Sequence, residues 1–202
     1  MKAYEIKKMT EGVDFTDIAT IEMEEKYFDT PDSIKAYAQI AYKDDAILVH
    51  LSTIEQKIRA VEKGPIGRPW HDSCLEFFFC PMENDSRYFN IEFNSNGCLF
   101  FGFGRNAGLS ARLLPNKEID ELLSPRILRS EKGWEIFYKI PVDFIRLFFP
   151  SFEIRAGKTI RANCYKCADY SEPPHYRSWN PVVADETFTF HRPECFGIMT
   201  FI

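Results

Sequence analysis

Two tryptophans stand in proline-bounded loops. Trp70 lies in Pro65-Ile-Gly-Arg-Pro-Trp70-His-Asp, and Trp179 lies in Pro173-Pro-His-Tyr-Arg-Ser-Trp179-Asn-Pro. A tryptophan fixed between prolines is a rigid amphipathic plate, suited to stacking on the C–H face of a sugar ring while polar neighbours take the hydroxyls. The same two side chains can equally cap a hydrophobic core, and at this point both readings stand. Trp134, in the middle of an alternating apolar run, reads as core.

A pair of acids offers a second chemistry. Glu76 and Glu92 fall on one polar face if their strands are neighbours in register, and two carboxyls beside one glycosidic bond are the minimal equipment of a glycoside hydrolase. Hydrolysis also needs a cleft and one raised carboxyl pKa. The plainer reading is a solvated or hydrogen-bonded pair. Strand parity brings Asn90 to the same floor as Glu92.

Other patterns carry less. Gly102-Phe-Gly104-Arg-Asn-Ala107 has the spacing of a dinucleotide fingerprint, but that motif needs a crossover helix, and Leu109 to Leu114 runs directly into Pro115. A glycine-rich strand end is the simpler account. Cys164 and Cys167 form a lone C-x-x-C, and Cys74 with Cys80 does not supply a second pair at zinc-ligand spacing. The six cysteines therefore read as buried thiols rather than disulfides or a zinc site. His50, His71, His175 and His191 are too scattered for a metal cluster. No G-x-S-x-G elbow is present.

The elements that must position these groups are strands. Ile34 to Tyr42 and Ala46 to Leu51 read as a hairpin closed at Lys43-Asp44-Asp45. Cys74 to Cys80 alternates, with Asp72, Cys74, Glu76 and Phe78 on one face and Leu75, Phe77 and Phe79 on the other. Tyr88 to Asn94 sets Phe89, Ile91 and Phe93 against Asn90, Glu92 and Asn94. Ser95-Asn96-Gly97 then turns the chain into Cys98 to Phe103, completing an antiparallel meander. Trp134 to Ile140 is a further strand, and Pro141 opens a short helix through Leu147. Ile160 to Tyr165 points Ile160, Ala162 and Cys164 inward. Phe188 to Phe190 and Gly197 to Ile202 are expected closing strands. The sum is an all-β antiparallel sandwich with one or two short helices.

Composition agrees with a packed fold. The 202 residues include 19 Phe, 9 Tyr and 3 Trp, enough to fill a sizeable core, and with no linker or repeat they read as one domain over residues 1–202. The net charge of -5 opposes a phosphate backbone, so no nucleic-acid partner is expected. No apolar run approaches the ~20 residues of a spanning helix, so no membrane partner is expected. Met1-Lys-Ala-Tyr-Glu-Ile-Lys-Lys lacks the apolar segment of a secretory signal, which leaves a cytoplasmic protein or a mature form restarted at Met, with the cytoplasm the expectation.

In chain order the sequence carries Trp70-x-Asp72-Ser-x-x-Glu76-x-Phe78, Phe89-Asn-Ile-Glu92-Phe-Asn94-x-x-Gly97, Gly133-Trp134-Glu-x-x-x-x-Ile140-Pro141, Gly157-x-x-Ile-Arg161-Ala-Asn163-x-Tyr165, Ser178-Trp179-x-Pro181 and Phe190-His191-x-Pro193-Glu194-x-Phe196-Gly197. This ordered set resembles the family 9 carbohydrate-binding modules and their single-domain relatives. The last motif is the most specific, and the resemblance covers most of the chain, from about Ala36 to Phe201.

The resemblance implies a distorted, jelly-roll-like two-sheet sandwich and non-catalytic binding of a mono- or oligosaccharide. It also implies an association with enzymes that degrade xylan or cellulose. Trp70 and Trp179 match the family's two clamping tryptophans, Glu76 matches a polar residue that accepts sugar hydroxyls, and Tyr176 stands where the family can carry an amide. Asn90 and Glu92 join them by strand parity, with Arg177 as a neighbour. Some members hold structural calcium, but no run of oxygen ligands at loop spacing marks such a site here, and Asp44-Asp45 reads as a turn. Two other readings remain: a hydrolase using Glu76 and Glu92, and a haem-binding sandwich of the distantly similar cytochrome type, which holds iron with Met and His.

Overall fold

A computed structural model describes residues 1–106, 109–113 and 121–202. Its strands are β1 (Ala3–Lys8), β2 (Ile21–Glu22), β3 (Glu25–Tyr27), β4 (Lys35–Lys43), β5 (Ala46–Ile54), β6 (Cys74–Cys80), β7 (Tyr88–Asn94), β8 (Leu99–Gly104), β9 (Ser110–Leu113), β10 (Arg126–Ser130), β11 (Gly133–Pro141), β12 (Thr159–Cys167), β13 (Tyr176–Ser178) and β14 (Gly197–Phe201). The α-helix α1 (Val142–Phe148) follows β11 directly, and residues 121–123 are also helical. Hydrogen-bonded strands run in the order β10-β11-β5-β4-β1-β14-β12-β6-β7-β8-β9, a single sheet curled into two layers.

Strand β1 makes the curl. It pairs in parallel with β14 through Ala3 to Ile6, then in parallel with β4 through Lys7 and Lys8, so one strand belongs to both layers. These parallel pairs are a departure from the all-antiparallel expectation, and they arise because the chain's first strand fills the gap between strands from distant parts of the sequence. Elsewhere the pairing is antiparallel. Lys43 faces Ala46 across a two-residue turn of Asp44 and Asp45, and β6, β7 and β8 form the expected meander.

Between the layers, period-two alternation has the predicted effect. Leu75, Phe77 and Phe79 of β6 join Phe89, Ile91 and Phe93 of β7 and meet Val49, Leu51, Ile136, Tyr138 and Ile140 from the other layer. All are buried. Each such side chain contributes roughly 1.5–3 kcal/mol by leaving water. Helix α1 buries Val142 and Ile145 in this core, while the ring of Phe144 packs against Phe89 and Phe101.

The opposite face of β6, β7 and β12 is also buried, although its polar content reads as a solvated surface. Glu76, Asn90, Glu92, Asn94, Asn163 and Tyr165 are all 3% exposed or less. The cover is made by β3, β13 and the chain between Trp179 and Phe196, with Phe78, Tyr88, Tyr165, Phe190 and Phe196 forming a second apolar cluster under it. Phe188 to Phe190 is part of this cover and not a strand; its rings pack on Tyr27 and Tyr176 instead of entering a ladder.

Gly102 and Gly104 lie on β8, which is antiparallel to both β7 and β9. That topology has no place for a crossover helix. Ala107, Leu114 and Pro115 of that reading lie outside the described residues. Among the described residues, no helix is long and apolar enough to cross a membrane.

Candidate functional site

The site's floor is built by register. Glu76 of β6 faces Glu92 of β7, and Cys74 of β6 faces Cys167 of β12, all on the covered face. Asn90, two residues before Glu92, donates its amide to Glu92 Oε1 at 2.7 Å. Its cross-strand partner is Gly102, where an added Cβ would collide with the Asn90 amide. The glycine is therefore the space that Asn90 occupies.

Burial dominates the electrostatics of this floor. It pushes the Glu76 carboxyl up to about 7, with the charge of Asp169 adding to the rise. Burial and then the neighbouring Glu76 charge push Glu92 well above the ordinary carboxylate range. Two buried carboxyls side by side cannot both ionise cheaply, so the pair retains a proton near neutral pH. Cys167 donates its thiol to Glu76 Oε1 at 2.8 Å, and burial raises the Cys167 thiol far above its usual range.

Above the floor lies a cavity of about 740 Å³, within the range of small-molecule sites. One wall is Trp70, carried by the short 3₁₀ turn Pro69–His71. The Trp70 carbonyl accepts from the Asp169 amide at 2.9 Å, and the His71 carbonyl accepts from the Tyr170 amide at 3.0 Å. This zips the tryptophan loop to the end of β12. The Trp70 ring meets Phe100 edge-on at 5.3 Å, and Arg112 covers the Phe100 ring at 4.7 Å. Asp72 anchors the loop by accepting from the Val61 and Glu62 amides and from Asn94, and it pairs with Arg59.

The facing wall is aromatic as well. Phe28, Tyr176, Phe188 and Phe190 line the cavity, with ring centroids 5.5 Å apart for Phe28 and Tyr176 and 5.0 Å for Phe28 and Phe188. Phe28 holds φ at 55°, a left-handed conformation that costs a residue with a Cβ roughly 1–2 kcal/mol. That turn keeps an exposed ring against the other two. His191 lines the far end, and its Nδ1 lies 2.7 Å from the Tyr88 hydroxyl.

Of the sequence-derived candidates, the structure brings Trp70, Glu76, Glu92 and Tyr176 to one cavity. Asn90 lies beneath, fully buried, and reaches the cavity through Glu92. Trp179 is elsewhere. It is 5% exposed, belongs to the core between the layers, meets Tyr4 edge-on at 6.5 Å and packs over Gly197. The expected two-tryptophan clamp therefore does not form here. The position of Trp179 follows from β12 and β13: its amide donates to the Cys164 carbonyl at 3.0 Å, which fixes the backbone just after the strand, on the core side. Arg177, the expected neighbour, is likewise buried and donates to the Met23 carbonyl.

Phe28, Phe100, Asp169 and Phe188 belong to the site without having been singled out from the sequence. The aromatic run Phe188-x-Phe190 was visible, but its alternation looks like a strand. Asp169 carries no pattern at all; only the zipping of two loops brings it beside Glu76.

Other chemistries fit the residues less well. Calcium takes six to eight oxygen ligands, whereas the grouping of three potential metal ligands among the described residues is Cys74, Glu76 and Cys167, which is rich in thiols. A calcium site does not fit that set. No methionine lines the cavity among the described residues, so the Met and His ligation of the haem reading has no partner for His191 there. Cys164 and Cys167 point to opposite faces of β12, Cys164 into the inter-layer core and Cys167 into the covered cluster, so the C-x-x-C cannot chelate as a unit.

A family model described as carbohydrate-binding family 9 matches residues 3–201. No curated protein matches the chain. Among solved structures, a candidate carbohydrate-binding protein from Bacteroides uniformis ATCC 8492 is similar over 100% of this chain and 99% of its own, with 30% identity and a TM-score of 0.82. A family 9 carbohydrate-binding module from Caldicellulosiruptor kristjanssonii in complex with glucose shares the fold, with a TM-score of 0.67 and 9% identity over 100% of this chain and 96% of its own. The same organism's family 9 module in complex with cellotriose does so too, at 0.67 and 10% identity over 99% and 93% of the two chains.

Proposed function

The chain belongs to carbohydrate-binding family 9, and from that premise we propose that the cavity over β6 and β7 binds a mono- or oligosaccharide of the glucan type without cleaving it. The supporting observation is the cavity's composition: a floor of two buried carboxyls between two aromatic walls. A pyranose presents apolar C–H faces above and below and hydroxyls around its rim, and this cavity offers the complementary surfaces. The sugar ring stacks on Trp70, and Phe28, Tyr176 and Phe188 close over the other side. Glu76, Glu92 and Asp169 accept hydrogen bonds from sugar hydroxyls when ionised, and a protonated carboxyl donates to a ring or hydroxyl oxygen. Asn90 keeps Glu92 in place.

Binding is favoured over hydrolysis by the placement of the acids. Glu76 and Glu92 rise side by side from adjacent strands of one floor, whereas a hydrolase sets its two carboxyls on either side of the scissile bond. The glucose and cellotriose complexes of the Caldicellulosiruptor modules support a glucose-type ligand as the first to test.

Isothermal calorimetry against glucose, xylose, cellobiose, xylobiose and galactose tests the reading. Heat with glucose or cellobiose that is lost in Trp70→Ala supports it. No heat from any sugar, in protein shown to be folded, overturns it, as does turnover of an aryl glycoside that is lost in Glu76→Gln.

A further inference from the structure

The three groups Cys74, Glu76 and Cys167 converge in a way that sugar binding does not require. Cys74 and Cys167 are directly opposite across β6 and β12, and Glu76 follows Cys74 by two residues on the same face. Their two Sγ atoms and a carboxylate oxygen all lie within 4.8 Å of one another. All three side chains are buried, and Cys167 and Glu76 line the cavity. The thiols interact mainly with one another and with Glu76: Cys74 contacts Cys167 and Glu76, Cys167 Sγ donates to Glu76 at 2.8 Å, and beyond the cluster the two sulfurs make only long contacts, to the Leu75 carbonyl at 4.0 Å and the Trp70 carbonyl at 3.8 Å. Among the described residues, no Lys or Arg donates a hydrogen bond to Glu76, and no Lys or Arg lines the cavity.

The geometry points to a soft divalent metal site, with Zn²⁺ held by Cys74, Glu76 and Cys167 and its fourth position open to the cavity. Zinc takes thiolate and carboxylate ligands at about 2.3 Å and 2.0–2.2 Å, which in a tetrahedron separates the ligand atoms by about 3.6–3.8 Å. The present spacing, within 4.8 Å with the closest pair at 2.8 Å, brackets that value, so rotamer adjustments suffice. Three protein ligands and one open position are the pattern of an exchangeable zinc site rather than a closed structural one. The proton balance is definite. Each ion that binds displaces the Cys74 and Cys167 thiol protons to solvent, plus the Glu76 proton where that carboxyl holds one. The alternative is a metal-free thiol–carboxyl hydrogen bond, which has the same apo geometry.

The full-length protein, treated with chelator and a phosphine reductant, is titrated with Co²⁺ and then Zn²⁺. The expected result is one ion per chain, thiolate-to-cobalt charge-transfer absorption with intense tetrahedral d–d bands, displacement by Zn²⁺, and release of two to three protons per ion. Cys74→Ser and Cys167→Ser each abolish the charge-transfer band, Glu76→Gln weakens zinc binding at least tenfold, and Cys195→Ser, a half-buried thiol outside the cluster, changes nothing. If the serine variants fail to fold, X-ray absorption at the zinc edge of the unsubstituted protein decides, with two sulfur neighbours expected. Absence of charge-transfer absorption in folded wild-type protein overturns the site. So does a band that survives Cys167→Ser, or a zinc shell with no sulfur.

Discussion

Glu76 and Glu92 face each other across β6 and β7, each 3% exposed, with no Lys or Arg lining the cavity they share among the described residues. An isolated buried carboxylate is costly, and in the metal-free protein the cost is met by holding protons rather than by pairing with a Lys or Arg. That choice leaves a floor that changes its hydrogen-bonding character near neutrality.

It also gives the fold a pH dependence of uncommon sign. Burial lifts Glu76 to about 7 from its ordinary value near 4.5, so between those two pH values the native state binds more protons than the unfolded chain. Stability from this group is thus full below about pH 4.5, falls as pH rises towards 7, and then levels off. Denaturant melts of the wild type from pH 5 to 8 should show a loss of stability that shrinks in Glu76→Gln. Parallel losses in the two proteins would place the ionisation elsewhere.

Trp70 and Trp179 should behave oppositely when truncated. Trp70→Ala removes a cavity wall and is expected to cost about 1–3 kcal/mol of sugar affinity with little loss of stability. Trp179→Ala empties a core position and is expected to cost about 3–5 kcal/mol of folding free energy, with sugar affinity kept in the protein that remains folded. Calorimetry paired with urea unfolding separates the two outcomes.

That contrast shows what could be read from the residues alone. Period-two alternation places every large side chain of β6 and β7 on its correct face, because an alternating strand has one way to bury its apolar half. The hairpin and the meander followed from local turns. Alternation cannot say whether the polar face meets water, and here the segments around Phe28 and Phe188 cover it. Trp179 shares its composition and its prolines with Trp70. The difference is one backbone bond to Cys164, which extends the β12–β13 pairing of Tyr165 with Ser178 by one residue, and no local pattern announces that pairing. Strand β1 was invisible for a related reason: Ala3–Lys8 alternates weakly, and its two parallel partners lie at opposite ends of the chain.

A second buried network sits just behind the tryptophan loop. Lys166, which is fully buried, lies 3.3 Å from Glu55, which in turn lies 3.2 Å from His175 and accepts from Ser73. Burial alone would raise the Glu55 carboxyl, but the Lys166 charge and the His175 and Ser73 bonds outweigh it and hold the group down at about 2. Its stabilisation is present above about pH 4.5 and is lost as pH falls towards 2, the reverse of Glu76. Lys166→Met leaves Glu55 buried without its cation and is expected to cost about 3–5 kcal/mol at pH 7. The penalty should shrink in Glu55→Gln/Lys166→Met, as measured by a double-mutant cycle in urea; a full, additive penalty would mean that the two groups do not communicate.

Charge at the cavity sets the last expectation. Glu76, Glu92, Asp169, Asp185 and Glu186 all line it, and no Lys or Arg does so among the described residues, although Arg192 bonds Asp185 from outside. The floor acids retain protons, yet any carboxylate brought by the ligand meets only like charge or acids driven further towards protonation. Glucuronic acid should therefore bind at least tenfold more weakly than glucose at pH 8, where the protein acids are most ionised. The gap should narrow at pH 5, as Glu76 regains its proton, and should narrow with salt for the exposed Asp185. Equal affinity for the two sugars at pH 8 would mean that the ligand's sixth carbon points out of the cavity, away from the acids.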